Sequence, residues 1–274
     1  MGSLLKSDLL KLRKSSTFWV CIVLSVFLGI MFSLLYYYVW KNVGSSVEAT
    51  KTVMKALGAQ EESIKEALAI FPEPNVFAYI NTMLCDSNAI YISAVVICVF
   101  VASEYSMGTI RNSLSRGFSR RQFIASKFIS VAIAMTSVIA SYVTGGFVTS
   151  VCIFGFEPYS GKGNIALILI AYTLLFLGLA SFYTMISIVT RKTGRAVAVA
   201  IVVPAIVEAI IGMIAYISQD YSGVVSKFWI FRTVLLSNNL CEKGEAYIPI
   251  LVALGYMFIC GTISSLVFRR QEIK

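Results

Sequence analysis

The sequence predicts an all-α polytopic membrane protein, with six transmembrane helices, an N-terminal interfacial helix and a re-entrant segment before the last span. Three observations predict it. The 274 residues are 58% hydrophobic with a mean hydropathy of +0.81 and only 14% are charged, far from the roughly 45–50% apolar and about 25% charged of a soluble domain. Apolar runs that can cross about 30 Å of hydrocarbon recur six times. Lys and Arg gather on one side of those runs, which sets the orientation.

Five runs are plain: 17–40, 128–156, 164–190, 196–217, interrupted only by Glu208, and 247–268. A sixth, 88–103, is shorter, and borrowing 82–87 at its outer end would place Asp86 near the headgroups. Together they make residues 1–274 one transmembrane domain, with an outer loop at 41–87 and an inner loop at 104–127. With both termini inside, fifteen Lys and Arg lie on the inner side against eight outside, and acidic residues run the other way, three against ten. Both termini are therefore expected in the cytoplasm.

Lys6, Lys11, Arg13 and Lys14 precede the first run, as in a signal peptide, but that run has 24 residues, beyond the usual roughly 7–15 of such a segment. It is read as a span. Before it, Leu5, Leu9 and Leu12 recur at i, i+4, i+7 among basic residues. That pattern suits either a helix lying on an anionic leaflet or a simple positive flank. In the outer loop, Ile64, Leu68 and Phe71 share a helical face before Pro72, so packing of a surface helix is expected ahead of a substrate-contacting cap. Residues 218–246 carry FWIF and TVLL around Arg232, too short and interrupted to cross, so an interfacial or re-entrant segment is expected.

Several chemistries are excluded. Histidine is absent, which removes imidazole metal sites and triads that need one. The six cysteines show no CxxC spacing, and four lie in apolar runs where a thiol packs as a small hydrophobe. Cys85 and Cys241 both fall outside, so a disulfide between them is open. The net charge of +9 follows the positive-inside bias rather than a nucleic-acid-binding face. No P-loop is present, since Gly155 to Gly163 (GFEPYSGKG) has the wrong spacing and ends Lys-Gly. Ser137, Ser141, Thr144 and Gly145 form a small-residue stripe that favours close helix packing.

The inner loop has the most local grammar. Ile110 and Leu114 repeat at i, i+4, which predicts a short amphipathic helix. Gly117 fits a helix stop, and Ser119 with Gln122 matches a capping box that starts a new helix running into the third span. Five basic residues, Arg111, Arg116, Arg120, Arg121 and Lys127, are expected to face the cytoplasm. Glu208 is the one acid well inside a span, with Pro204 one turn earlier to bend the helix and open backbone acceptors. No Lys or Arg lies in a predicted span, so protonation or exposure to a polar cavity is expected of Glu208. A place in the substrate path or at a subunit interface stands beside a plain hydrogen bond to a neighbouring helix.

Glu104-Tyr105 followed by Gly108-Thr109-Ile110-Arg111, then Arg116-Gly117, Ser119-Arg120 and Lys127, between the second and third spans, resembles ATP-binding-cassette (ABC) exporter permeases of type two. The resemblance implies an efflux permease in a bacterial plasma membrane that moves a lipid, peptide, drug or similar amphipathic substrate. It implies two cytoplasmic ATP-binding subunits, which hold the ATP and magnesium, and a second permease subunit, identical or a sister chain. No cofactor or metal is expected on this chain. By position, 109–116 would be the coupling helix that docks on the ATPase. The implied coupling set is Glu104, Gly108, Thr109, Ile110, Arg111, Leu114, Arg116, Gly117, Ser119, Arg120 and Arg121, with Glu104 anchoring a base such as Arg111 or Arg120. A secondary transporter and a polytopic membrane enzyme are the alternatives.

Overall fold

The computed structural model describes residues 2–56, 76–115, 117–155, 165–217 and 227–270. The outer-loop face of Ile64, Leu68 and Phe71, and Arg116, lie outside the described residues, as does the side chain of Leu114. Among the described residues the fold is all helix: α1 (Gly2–Lys14), α2 (Ser16–Ala56), α3 (Val76–Cys85), α4 (Ser87–Ser106), α5 (Thr109–Ser115), α6 (Arg120–Phe154), α7 (Ile165–Thr190), α8 (Thr193–Ile217), α9 (Ile230–Glu242) and α10 (Tyr247–Arg270). Six of these, α2, α4, α6, α7, α8 and α10, are long and apolar enough to cross a membrane. The chain is a multi-pass membrane protein.

The spans alternate in direction, so α1, α5, the α7–α8 turn and the end of α10 meet at one end of the bundle, here termed the basic end. Among the described residues, 40–56, 76–86, Gly155 and 227–246 belong to the opposite end. Two expectations about spans change. The helix of the first span does not stop at Trp40 but runs on to Ala56, 41 residues and so about 60 Å, because residues 41–56 hold no proline to break it and include three Lys and two Ala, which favour helix. Residues 82–85 do not extend the second span. They end α3, and Asp86 caps α4 by accepting from the Asn88 backbone N–H at 3.1 Å, which fixes a helix start at Ser87.

Two pairs dominate the packing: α7 with α10, and α2 with α6. The second explains part of the small-residue stripe. Gly145 faces α2 so closely that a Cβ there would stand 2.6 Å from the Val26 carbonyl oxygen, and a Cβ on Gly29 of α2 would collide with the Tyr142 carbonyl. Backbones can approach to this degree only where side chains are missing. The rest of the stripe is half-buried at Ser137 and Ser141 and exposed at Thr144. Ser137, Ser141 and Thr144 return their hydroxyls to their own helix, to the carbonyls of Ile133, Ser137 and Ala140 at 2.7, 2.7 and 2.6 Å.

At the opposite end, α3 packs on α6 and α9. Tyr142 of α6 donates to the Asp86 carboxylate. Cys85 and Cys241 are both free thiols. Cys85 shares a 2.9 Å hydrogen bond with the Tyr172 hydroxyl, which donates to Asn81 Oδ1 at 3.0 Å. Burial pushes the Cys85 thiol up and the Tyr79 phenol up to about 12, so both stay protonated at neutral pH.

The α2–α6 crossing yields the first prediction. Gly29→Ala and Gly145→Ala should each lower stability by ~1–3 kcal/mol through overpacking against backbone. Gly255→Ala on α10, where a Cβ meets nothing within 4 Å, should be neutral or stabilising by up to ~1 kcal/mol. Thermal unfolding of the purified proteins in detergent reads the difference, and equal midpoints for all three would refute the close crossing.

Candidate functional site: an ionic cluster beneath a surface helix

The basic end is organised around Lys127. Its side chain is 2% exposed, yet its ammonium lies two turns into α6, inside the bundle. A buried ammonium needs its charge and all three N–H donors satisfied. Nζ donates to Asp8 Oδ1 at 2.7 Å, stands 2.7 Å from Glu104 Oε1, and lies 4.9 and 5.2 Å from the ring centroids of Phe100 and Phe123. The rings stabilise the cation through their quadrupoles. Asp8 is itself 1% exposed and accepts from Ser126 Oγ at 2.6 Å. Glu104, 4% exposed, also accepts from Lys11 at 2.9 Å. Two carboxylates and two ammoniums therefore balance, and three helices, α1, α4 and α6, are tied at one point.

This arrangement corrects two expectations. Lys127 does not face the cytoplasm. Glu104 pairs with Lys11 and Lys127 rather than with Arg111 or Arg120, because the chain turns away from it immediately after α4. The face of α1 buried on the bundle is Leu4, Asp8 and Leu12, which lets Asp8 reach Lys127 and leaves Leu5 and Leu9 half-buried. Asp8 was not singled out in the sequence. Its only signal was an acid in an otherwise basic, leucine-rich helix.

The expected helix, stop and helix follow directly below this cluster. Met107 and Gly108 close α4, with the Met107 N–H on the Ser103 carbonyl at 2.9 Å and Gly108 at a φ of 64°, a conformation glycine adopts without strain. Thr109 Oγ1 reaches back to the Glu104 carbonyl at 3.4 Å, joining the start of α5 to the residue that holds Lys127. Ile110 is 3% exposed and seats α5 on the bundle, whereas Arg111 and Ser115 are exposed. Gly117 then turns the chain at a φ of 85°. Ser119 and Gln122 form the capping box in full, Ser119 Oγ accepting from the Gln122 N–H at 3.2 Å and Gln122 Oε1 from the Ser119 N–H at 3.1 Å. From there α6 is one unbroken helix of 35 residues, about 50 Å.

Of the two arginines that follow, Arg121 is exposed. Arg120 closes the C-terminus of α10, donating to the carbonyls of Phe268 at 3.1 Å and Arg269 at 2.6 Å. Phe123 stacks on Phe268 with centroids 5.3 Å apart. Arg120 is thus a structural clamp between the start of α6 and the end of the chain's last helix.

The second pair of site residues lies far away. Pro204 sits within α8 without ending it, and Glu208 follows one turn later. Glu208 is not isolated: Arg232 Nε donates to Glu208 Oε2 at 2.6 Å. Arg232 comes from the first turn of α9, which enters from the opposite end and places Trp229 and Phe231 against Phe182, 6.4 and 6.1 Å between centroids. The sequence put Arg232 outside every span, so its reach to Glu208 was invisible there.

Lys127 and Lys11 should behave differently when neutralised. Lys127→Met leaves Asp8 and Glu104 buried without their shared cation and should cost ~3–5 kcal/mol. Lys11, 42% exposed, contributes about 0–1 kcal/mol after solvent screening. Unfolding midpoints of Lys127→Met and Lys11→Met in detergent test this, and similar losses for both would show that burial does not set the energy of the cluster.

No curated protein matches this sequence, and no solved structure matches it. Residues 67–274 match the model of a family described as protein of unknown function, DUF2705. That stretch takes in Glu104, Lys127, Glu208 and Arg232 and about three quarters of the sequence, so the chain belongs to the DUF2705 family.

Proposed function

We propose that this chain is the membrane-spanning permease subunit of an ATP-binding-cassette exporter. It would move an amphipathic substrate using ATP hydrolysed by a separate cytoplasmic subunit, paired with a second permease subunit. One observation carries the reading. A short helix, α5, with Ile110 buried and Arg111 and Ser115 exposed, is bounded by two glycine turns and held between α4 and α6 by a buried ionic cluster. A passive connector between two spans needs none of this. A lever that transmits motion from a soluble partner needs all of it, because displacement passes only through elements that move as one body.

In this reading the basic end faces the cytoplasm, and α1 lies at the inner interface with Lys6, Arg13 and Lys14 exposed. The segment around α9 re-enters the membrane from outside. Arg111, Ser115 and Arg121 form the face offered to the ATPase, while Glu104, Lys127 and Asp8 pass its movement to α4, α6 and α1. A carrier driven by a proton gradient is less well supported, because the acid deep in α8 is already an ion-pair partner of Arg232.

Arg111→Glu reverses an exposed charge that no cluster uses. It should lower recovery of the ATPase with the permease, or its substrate-stimulated hydrolysis, by at least about tenfold, with membrane insertion unchanged. Arg120→Glu should additionally destabilise the protein, because it unclamps α10. Normal assembly and hydrolysis in the Arg111 variant would remove α5 as the contact.

Orientation has its own test. In a background without the native cysteines, an impermeant thiol reagent on intact cells should label Lys243→Cys and spare Ser115→Cys until the membrane is opened. The reverse pattern would invert the protein and place α5 outside, where no ATPase can reach it.

A further inference from the structure

We propose that Arg232 is an anion site within the membrane, which binds the phosphate of an amphiphile entering from the lipid between α8 and α9. The guanidinium has five N–H donors, and only Nε is used, on Glu208. Neither Nη has a partner among the described residues, and the side chain is 32% exposed. Glu208 lies nine residues before the end of α8 at Ile217, so the pair sits about 13 Å in from that end. At that depth an exposed guanidinium with idle donors is expensive unless an acceptor comes to it.

The geometry selects the acceptor. Anchoring through Nε holds the plane of the group and leaves the two Nη atoms as a fork, the arrangement that grips phosphate or carboxylate through two parallel hydrogen bonds. The surroundings select an amphiphile. Leu235, one turn after Arg232 on α9, is 39% exposed, and Phe228, just before α9 begins, is 56% exposed. On α8, Ile206 and Ile210 are 53% and 51% exposed on the face turned away from Glu208. The α9 side of the fork is therefore bordered by apolar surface open to lipid, which accepts acyl chains while the headgroup meets Arg232. This deepens the transport reading by naming the chemistry of the group that a permease would engage, and it rests on that reading only for its role in export.

Binding is measured without any ATPase, so its failure is distinct from failure of the α5 contact. The chain has three tryptophans, and Trp229 stands three residues from Arg232. With Trp19 and Trp40 replaced by Phe, the protein is reconstituted in phosphatidylcholine vesicles, and Trp229 quenching is compared for dibrominated phosphatidylglycerol and dibrominated phosphatidylcholine. Phosphatidylglycerol should bind about five- to tenfold more tightly. Arg232→Gln should bring the ratio to about one, and Arg232→Lys, which keeps charge but loses the fork, should fall between. Glu208→Gln keeps an acceptor for Nε and removes the competing negative charge, so it should raise the ratio. If the Gln variant at Arg232 does not fold, the Lys variant and the Glu208 variant still decide. Excess inorganic phosphate that abolishes the preference assigns the site to a free anion, and no effect of phosphate assigns it to a lipid headgroup. Equal quenching by the two lipids in the parent, or a preference unchanged in the Arg232 variants, overturns the proposal.

Discussion

A single buried ammonium governs the basic end of this protein. Lys127 sits on a helix that begins at Arg120, so its side chain enters the bundle where neither water nor headgroups can solvate it. The helices around it are arranged so that a carboxylate arrives from each side. Asp8 comes from α1, Glu104 from the last turn of α4, and the two aromatic rings of Phe100 and Phe123 cover what remains. Low dielectric makes each of these contacts strong and makes the loss of any one costly. The position of α1, the angle at which α4 ends and the start of α6 are thus mutually dependent.

The cluster also divides into two neutral halves. Asp8 and Lys11 are one turn apart on α1, and Glu104 and Lys127 face each other between α4 and α6. The stretch matched by the family model, 67–274, contains the second half and not α1. Docking α1 brings one neutral pair onto another, and no net charge is buried in the process. The same charge balance appears at another polar point in the bundle, where Glu208 and Arg232 meet as a pair and, among the described residues, neither Nη has a partner.

Packing is unequal around the bundle. α4, α6 and α7 are largely enclosed, whereas α2, α8 and α10 keep broad apolar faces exposed. In a bilayer those faces meet lipid or another subunit without penalty, since association there depends on shape and polar groups rather than on hydrophobic burial. The close α2–α6 crossing at Gly29 and Gly145 shows what this sequence does when two helices must meet: side chains are removed from the contact. Where α8 stays open, its neighbours in sequence are large and aliphatic instead.

Composition and run length were enough to read six apolar helices, because hydrocarbon thickness imposes one length and backbone hydrogen bonding imposes one conformation. The stop at Gly117 and the Ser119–Gln122 capping box were legible for a similar reason. Each depends on residues within four positions of one another. What the tertiary structure alone decided is which charges meet. Asp8 and Lys127 are 119 residues apart, Glu104 and Lys11 93, and Glu208 and Arg232 24. None of these pairs follows a local periodicity. Each exists because burial leaves an ion only the partner that helix packing brings within about 3 Å, and that choice is made in space, not along the chain.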